Sequence, residues 1–475
     1  MTIAALASAI RRDEVETDAR GWTVNLAVFR VVLLAAIALP FAWRTLQWTE
    51  RVLPDLPRDA WRPVSFYAWL PLDVLADARL ARWLVLADLA TLVLALVGVL
   101  TRWTCAAAAL LSLYVFGLAQ NQGKIDHYHH LIWFMALVAV GPSDRALSID
   151  ALVRRRDHGG TGSPAALTTL RCIWLLFGLL YLGPGIAKLA SALTDGWASE
   201  VNLRRIMWAQ WLSRSHYQPD FAPWRWIDGA PGLVIVGSGL AVIAFETSFA
   251  ALVPFRRVRP WLAAAGVAFH VLNGVVLGIW FGFLLPAYAA LIDWAALGRA
   301  IARIRGRPER ARVPTEAMAG SRTVLAVGGA LIVGQLAATI MGTSAHRPAT
   351  DSWWPFDRYP TFSRPRPAET AVWEPRAVLA GGTERRISPR AWSQTFGSPA
   401  RCERATEDIL DIDDPVRRRA RSQAVVDQLW RREPPDLRRE AVAVAVYEVR
   451  YAIEATPRIV SERLLDRFPA EALAP

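Results

Sequence analysis

Cysteine is scarce in this chain, and the short motifs of several common enzyme classes are missing. Three cysteines occur in 475 residues, two in apolar segments and one near the far end, so no disulfide framework is expected. No CxxC pair, HExxH zinc motif, P-loop or GxGxxG turn is present. The first twenty residues are polar and mixed in charge and lack a cleavable signal-peptide pattern. These absences argue against a disulfide-rich secreted protein, a zincin protease and a P-loop or Rossmann nucleotide-binding protein.

Apolar residues are abundant. They make up 53% of the chain, and the mean hydropathy is +0.24. Several runs are long enough for a bilayer-spanning helix of about 20 residues. We therefore predict an all-α polytopic membrane protein with about nine transmembrane helices. The predicted spans are about 24–42, 80–100, 103–119, 125–141, 167–189, 232–253, 261–278, 279–295 and 323–342.

Arginines cluster in the connections that follow the predicted spans two, four, six and eight. The net charge of +12 is mostly arginine, clustered between apolar runs, which indicates topology and lipid-surface contact rather than nucleic-acid binding. If the span count is right, these clusters share one side with the N-terminus, and the positive-inside rule makes that side cytoplasmic. We expect a cytoplasmic segment 1–20, a transmembrane domain 21–343 and an external C-terminal tail 344–475 in the inner or plasma membrane.

The tail is Pro- and Arg-rich and shows no catalytic constellation. Residues 371–388 could form a hairpin around Gly381-Gly382, and 403–432 look helical. The segment 442–449 fits a strand or a helix. A small mixed α/β appendix is therefore expected.

Lys188 is the most informative ionisable residue. It closes the apolar run that predicts span five and follows Gly183-Pro184-Gly185, which should break or kink the helix. A charged group at membrane depth usually faces a cavity, and a lysine removed from water can act as a base near neutral pH. The alternative is a lysine that snorkels to the headgroups from a helix end.

Other polar residues are predicted to reach the same outward-facing cavity. Asp126 and His127 open span four, and His270 and Asn273 lie in the outer half of span seven. His127 and His130 share a helix face and could hold a metal, and His129 between them is expected to face the lipid headgroups. Three further charged residues are expected to be buried, with a functional or a structural role: Arg30, Asp88 and Glu246. Arg30 is expected to form an ion pair with one of the two acids.

Six ordered sequence blocks resemble the vitamin K-dependent γ-carboxylases and their bacterial HTTM (horizontally transferred transmembrane) relatives. The resemblance covers about residues 20–360. The blocks are Leu26-Ala27-Val28-Phe29-Arg30; Gly98 to Arg102; Asp126-His127 with Ser148-Ile149-Asp150; Tyr181 through Lys188-Leu189 with Asp195-Gly196-Trp197; Phe269-His270 to Asn273; and Trp354-Pro355-Phe356-Asp357.

The resemblance implies a chemistry. In that family a vitamin K-type hydroquinone is deprotonated and reacts with oxygen, and the resulting base allows carboxylation of a peptide glutamate. Lys188 matches the initiating base, His127 a histidine of the same site, and His270 the histidine of the fifth block. The other residues expected at the cofactor site are Asp126, Tyr181, Asn273 and Trp354.

Two departures from the family pattern concern the active site. Asp126 stands where the family has asparagine, and Ala187 stands where it has a second lysine. The large outer domain that recognises substrate is reduced to a short tail. The function expected first is a carboxylase-like enzyme using a membrane quinol, with an external peptide or protein as a possible substrate, an extracytoplasmic site and no metal. The alternatives are a non-enzymatic lipid- or quinone-binding or transport protein, and a metal enzyme using His127 and His130.

Overall fold

The computed structural model describes most of the chain. The described residues are 19–56, 61, 63, 65–121, 128–158, 163–215, 227, 229–305, 321–344, 356, 365–396, 399–453 and 457–473. Two parts follow one another: a helical bundle up to residue 344, and a smaller α/β unit from residue 365.

The first apolar helix is a single rod with one irregular turn. It consists of α1 (Ala19–Val32), a π-helical turn (Leu33–Ala38) and α2 (Leu39–Arg51). The remaining bundle helices are α3 (Leu72–Leu75), α4 (Ala78–Val97), α5 (Thr101–Leu118), α6 (His129–Val140), α7 (Ile149–His158), α8 (Pro164–Thr194), α9 (Glu200–Ser215), α10 (Gly232–Leu252), α11 (Arg259–Leu277), α12 (Trp294–Ile304) and α13 (Ser321–Ser344).

Among the described residues, seven helices are long and apolar enough to cross a membrane. They match the predicted spans one, two, three, five, six, seven and nine, which confirms a mostly helical polytopic membrane protein. The predicted fourth span corresponds to α6, which has 12 residues. At 1.5 Å per residue α6 is about 18 Å long, shorter than a hydrocarbon core of about 30 Å.

The predicted eighth span is not a continuous helix, so a count of nine transmembrane helices is wrong at this position. After α11 the chain turns at Gly278 (φ +64°) and forms a 3-10 helix at Pro286–Leu291. It nevertheless returns to the starting end of α11, because Asp293 bonds Asn25 and Arg256 there. Irregular backbone at this depth is tolerated because much of the segment is buried against the bundle.

The described connections after α4, α6 and α10, which carry arginines, gather at one end of the bundle, which we call the arginine-rich end; Arg51 of α2 and Arg82 of α4 lie at the other end. It comprises the start of α1, the α4–α5 and α6–α7 connections, residues 253–260 and residues 290–294. Arg30 donates to the carbonyl of Ser143, and Asn25 bonds Asp293, so α1 ties these connections together. Within the described residues these clusters therefore lie at one end of the bundle, and the side of the membrane that this end faces stays a prediction.

The tail unit is a four-stranded antiparallel sheet covered by helices. The sheet order is β2-β1-β3-β4, with β1 (Glu369–Leu379), β2 (Glu384–Arg386), β3 (Ala441–Ala452) and β4 (Arg458–Pro469). The helices are α14 (Pro389–Phe396), α15 (Pro399–Leu410), α16 (Pro415–Trp430) and α17 (Pro435–Glu440). The expected hairpin is present, with Gly382 at φ +80° in its turn. The segment 442–449 is a strand.

The sheet packs on α9. Trp208 and Leu212 of α9 share an apolar cluster with Val449 and Ile453. The helix preceding α9 is α8, which begins at the arginine-rich end and runs for 31 residues, about 46 Å, away from it. The tail unit therefore lies at the opposite end of the bundle.

Candidate functional site

Lys188 and Glu246 form a buried ion pair between α8 and α10. Lys188 Nζ lies 2.7 Å from both carboxylate oxygens of Glu246. The side chains are 6% and 5% exposed. Lys188 does not end its helix, because α8 continues to Thr194. The snorkelling interpretation is therefore wrong in this structure: the ammonium faces an acid inside the bundle.

Glycine makes this pairing possible. A Cβ on Gly185 would lie 2.9 Å from the backbone of Glu246, and one on Gly178 would lie 2.8 Å from Ala250. Small residues let two apolar helices approach closely, so α8 and α10 meet backbone to backbone here. The expected break at Pro184 does not occur, since α8 is continuous through it. Close approach is thus what the glycines around Pro184 provide.

His270 belongs to a second buried polar cluster. Its Nε2 lies 2.8 Å from the hydroxyl of Tyr181, which also bonds the hydroxyl of Tyr288. A Cβ on Gly266, one turn before His270, would collide with the Tyr288 ring, so glycine makes room for it. Within the described residues, His270 Nδ1 is buried and has no hydrogen-bond partner. A buried polar atom of this kind costs free energy and is a candidate contact for a ligand.

The two clusters share one face of α8. Tyr181 and Lys188 are seven residues apart, two helical turns or about 10 Å along the axis. The Phe245 ring, next to Glu246, lies 5.2 Å from the Tyr181 ring. Aromatic side chains of α8, α10 and α11 surround the polar groups, and Phe281 packs 5.2 Å from the His270 ring. The site is an apolar, aromatic environment with two isolated polar clusters.

Several predicted site residues lie outside the described residues: Asp126, His127 and Trp354. The convergence of His127 with Lys188 therefore stays a prediction. Phe356, which belongs to the same sequence block as Trp354, stacks on Trp133 of α6 with ring centroids 5.7 Å apart. His129, expected to face lipid headgroups, is instead fully buried, with its ring 4.8 Å from that of Trp133.

The remaining predicted residues take other roles. Asn273 is half-buried, and its backbone carbonyl accepts from Gly278 and Ile279 at the end of α11. His130 is buried and packs 5.6 Å from Phe283. Among the described residues no three His, Cys, Asp or Glu side chains group as a metal site. This finding does not reach His127.

Three of the sequence blocks meet at the arginine-rich end and build structure there. Arg30 donates to the backbone carbonyls of Ser143 and Leu147 and not to an acid, which corrects its expected role. Asp150 accepts from the backbone N–H groups of Leu100 and Thr101 and from the Thr101 hydroxyl, and so caps α5 from outside. Burial alone would raise the pKa of Asp150, but these hydrogen bonds and Arg154 hold it below its usual value.

Sequence reasoning gave no role to Tyr288 and did not pair Glu246 with Lys188. A signal for the second was available, because Lys188 is one of two lysines in the chain, the other being Lys124. A lysine in an apolar run needs an acidic partner at the same depth in the membrane. Glu246 is one of the few acidic residues in the predicted spans, so it was a candidate for that partner. Tyr288 gave no such signal, since its neighbours are apolar.

Comparison of the chain with protein-family models, with curated proteins and with solved structures finds no match. The interpretation of the site therefore depends on its geometry and on the sequence blocks.

Proposed function

We propose that this protein is a carboxylase-like membrane enzyme in which Lys188 accepts a proton from a quinol cofactor. The observation that supports it most directly is the buried Lys188–Glu246 pair, held in an aromatic environment within two membrane-spanning helices. Ionisable side chains at such depth are costly and are usually functional. The resemblance to vitamin K-dependent carboxylases and HTTM proteins points to the same lysine.

The residues around His270 fit a hydroquinone. The cofactor is an aromatic diol, and the site offers aromatic rings together with a buried nitrogen, His270 Nδ1, that has no partner among the described residues. Tyr181 and His270 would hold a hydroxyl group at this position. When bound, a hydroquinone supplies oxygen-dependent chemistry that generates a strong base. The acceptor substrate would come from outside the membrane.

Glu246 gives Lys188 a way to become a base. The ammonium is neutralised when its proton moves to the carboxylate 2.7 Å away, leaving a free amine and a carboxylic acid. A low-dielectric interior favours this neutral pair over two separated charges. The amine can then accept a proton from a bound acid, and the ion pair re-forms when Glu246 releases its proton to water.

The topology we propose follows the positive-inside rule. The arginine-rich end would face the cytoplasm together with the N-terminus, and the tail unit would lie outside the inner or plasma membrane. The chain would then cross nine times, with the segment 278–293 crossing as irregular structure. The site would open on the extracytoplasmic side.

The same ion pair also favours a second function, binding or transport without chemistry. Both Glu246 oxygens are engaged by Lys188, as in a structural pair that serves only to join two helices. The protein would then bind or transport a lipid or quinone without chemistry. Nitrogen-15 NMR of labelled lysine can separate the two, because Lys124→Arg leaves Lys188 as the one lysine. A neutral amine supports a base, and an ammonium at all pH values tested supports the structural pair.

The decisive assay is quinone epoxide formation. The purified protein, in lipid nanodiscs, is incubated with reduced vitamin K and oxygen, and epoxide is measured by chromatography with mass detection. We expect epoxide from the wild type, loss of it in Lys188→Ala and Glu246→Gln, and little change in Asp88→Asn. Asp88 is a matched control because it is also a buried acid in a span, bonded to Ser112. Equal epoxide from Lys188→Ala and the wild type would refute the proposal.

A further inference from the structure

A cavity opens at the arginine-rich end, away from the candidate site. Its volume is about 210 Å³. It lies between the start of α1, α8, the α10–α11 connection and the end of the irregular segment before α12. Its polar lining includes Asn25, Asp293 and three arginines of the connection, Arg256, Arg257 and Arg259. Ligand pockets for drug-sized molecules hold roughly 300–1,000 Å³, so this cavity suits a small polar group.

The described lining of the cavity is mainly basic. Arg256 pairs with Asp293 at 2.8 Å, and the same carboxylate accepts from Asn25 and from the backbone of Ala296. Asp293 is thus engaged by the protein itself. Among the described lining residues, three arginines stand beside one carboxylate, so their formal charges sum to two positive.

One of these arginines is held in place by the bundle. The Arg259 guanidinium carbon lies 3.4 Å from the ring centroid of Trp174, and the residue is 2% exposed. Arg259 also donates to the carbonyls of Val253 and Pro254. Trp22 packs edge-on against Trp174 with centroids 6.0 Å apart. The charge on this wall of the cavity is therefore preorganised.

The helix α12, which begins next to the cavity, indicates that the cavity lies at the membrane surface. α12 exposes Leu297, Ile301 and Ile304 on one face, and none of its residues is buried. Arg299 and Arg303 are four residues apart and lie off this apolar stripe. A short helix with an exposed apolar stripe and arginines beside it lies in the plane of a lipid interface. The cavity at its N-terminus is then at the depth of the lipid headgroups.

We propose that this cavity binds the phosphate of an anionic phospholipid headgroup. Arginine forks match phosphate oxygens, and basic pockets between membrane helices bind anionic headgroups. The acyl chains would lie along the lipid-facing surface of α11, where Trp261 beside the cavity is 75% exposed. Inorganic phosphate offers the same chemistry, but only a lipid also explains the apolar surface beside the cavity. This site is independent of the proposed enzymatic function.

Lipid binding to the purified full chain in detergent tests the proposal. The protein is titrated with phosphatidylglycerol and, separately, with phosphatidylcholine, and bound lipid is counted by native mass spectrometry. The variant is Arg256→Gln/Arg257→Gln, and the control is Arg102→Gln, an arginine at the same end whose side chain is 53% exposed. We expect phosphatidylglycerol affinity to fall roughly tenfold to thirtyfold in the double variant and less than about twofold in the control.

Arg257→Gln alone provides a milder variant if the double variant does not fold, since Arg257 is exposed at the cavity mouth. It should weaken phosphatidylglycerol binding by about fivefold. Millimolar inorganic phosphate should not displace the lipid; displacement would assign the cavity to a soluble phosphate instead. Equal loss of affinity in Arg102→Gln, or no preference of the wild type for phosphatidylglycerol over phosphatidylcholine, would overturn the proposal.

Discussion

Breaking the Lys188–Glu246 pair from one side should be far more costly than removing both partners. Two unit charges 2.7 Å apart attract by roughly 6 kcal/mol at an effective dielectric constant of about 20. Burial of each ion costs several kcal/mol, so the pair as a whole contributes little net stability. A single substitution, however, leaves the burial cost of the remaining ion without its compensation.

We expect Lys188→Met and Glu246→Leu each to lower the free energy of unfolding by about 3–5 kcal/mol. Lys188→Met should be the milder change, because the remaining carboxyl group can take up a proton and become neutral. The double variant Lys188→Met/Glu246→Leu should lie within about 1 kcal/mol of the wild type, because apolar side chains of similar volume replace the ions.

The measurement is a double-mutant cycle on unfolding in mixed micelles, with sodium dodecyl sulfate as denaturant and tryptophan fluorescence as the signal. Asp88→Asn combined with Lys188→Met supplies the control cycle. The carboxylate of Asp88 accepts a hydrogen bond from Ser112 of α5, whereas Lys188 bonds Glu246, so Asp88 and Lys188 do not share a partner. The effects of these two substitutions should add to within about 0.5 kcal/mol.

Additive losses in the Lys188–Glu246 cycle would refute the reasoning. In that case the two residues would not be coupled, and the ion pair would not contribute to packing of α8 against α10. A double variant that is stable but forms no epoxide would instead separate the structural role of the pair from its proposed chemical role.

Two further predictions concern the arginine-rich end. Gly98→Ala should lower the free energy of unfolding by at least about 2 kcal/mol, because Gly98 has φ +77° and the added Cβ would lie 2.3 Å from the Cβ of Ser148. Unfolding in sodium dodecyl sulfate measures this loss, with Gly237→Ala as the control because a Cβ there meets no atom within 4 Å. Equal losses in the two variants would contradict the prediction. Asp150→Ala should lose about 1–2 kcal/mol at neutral pH through the α5 cap. Hydrogen bonds outweigh burial and hold the pKa of Asp150 below its usual value of 3.8. The stability difference between Asp150→Ala and the wild type should therefore persist above pH 3.8 and vanish as the pH falls through the folded-state pKa. A stability difference that grows in acid would contradict this prediction.

The amino-acid sequence by itself located most of the membrane-spanning helices. Apolar runs of about 20 residues leave few alternatives in a membrane, because a spanning segment must satisfy its own backbone hydrogen bonds. The arginine clusters between the runs indicated which connections lie together, and the contacts of Arg30 and Asp293 bear this out. The change in composition near residue 344 marked the tail, and Gly381-Gly382 marked its hairpin.

Only the tertiary structure decided how the buried charges are paired. Lys188 and Glu246 are 58 residues apart, and their contact depends on the close packing of α8 and α10 at Gly185, which no local pattern encodes. The same holds for Tyr288, which reaches Tyr181 because the segment after α11 returns through the bundle with only a 3-10 helix, at Pro286–Leu291. Hydropathy reports whether a segment can be buried. It does not report whether protein or lipid covers it, and that difference decided both the missing eighth helix and the partners of the candidate site.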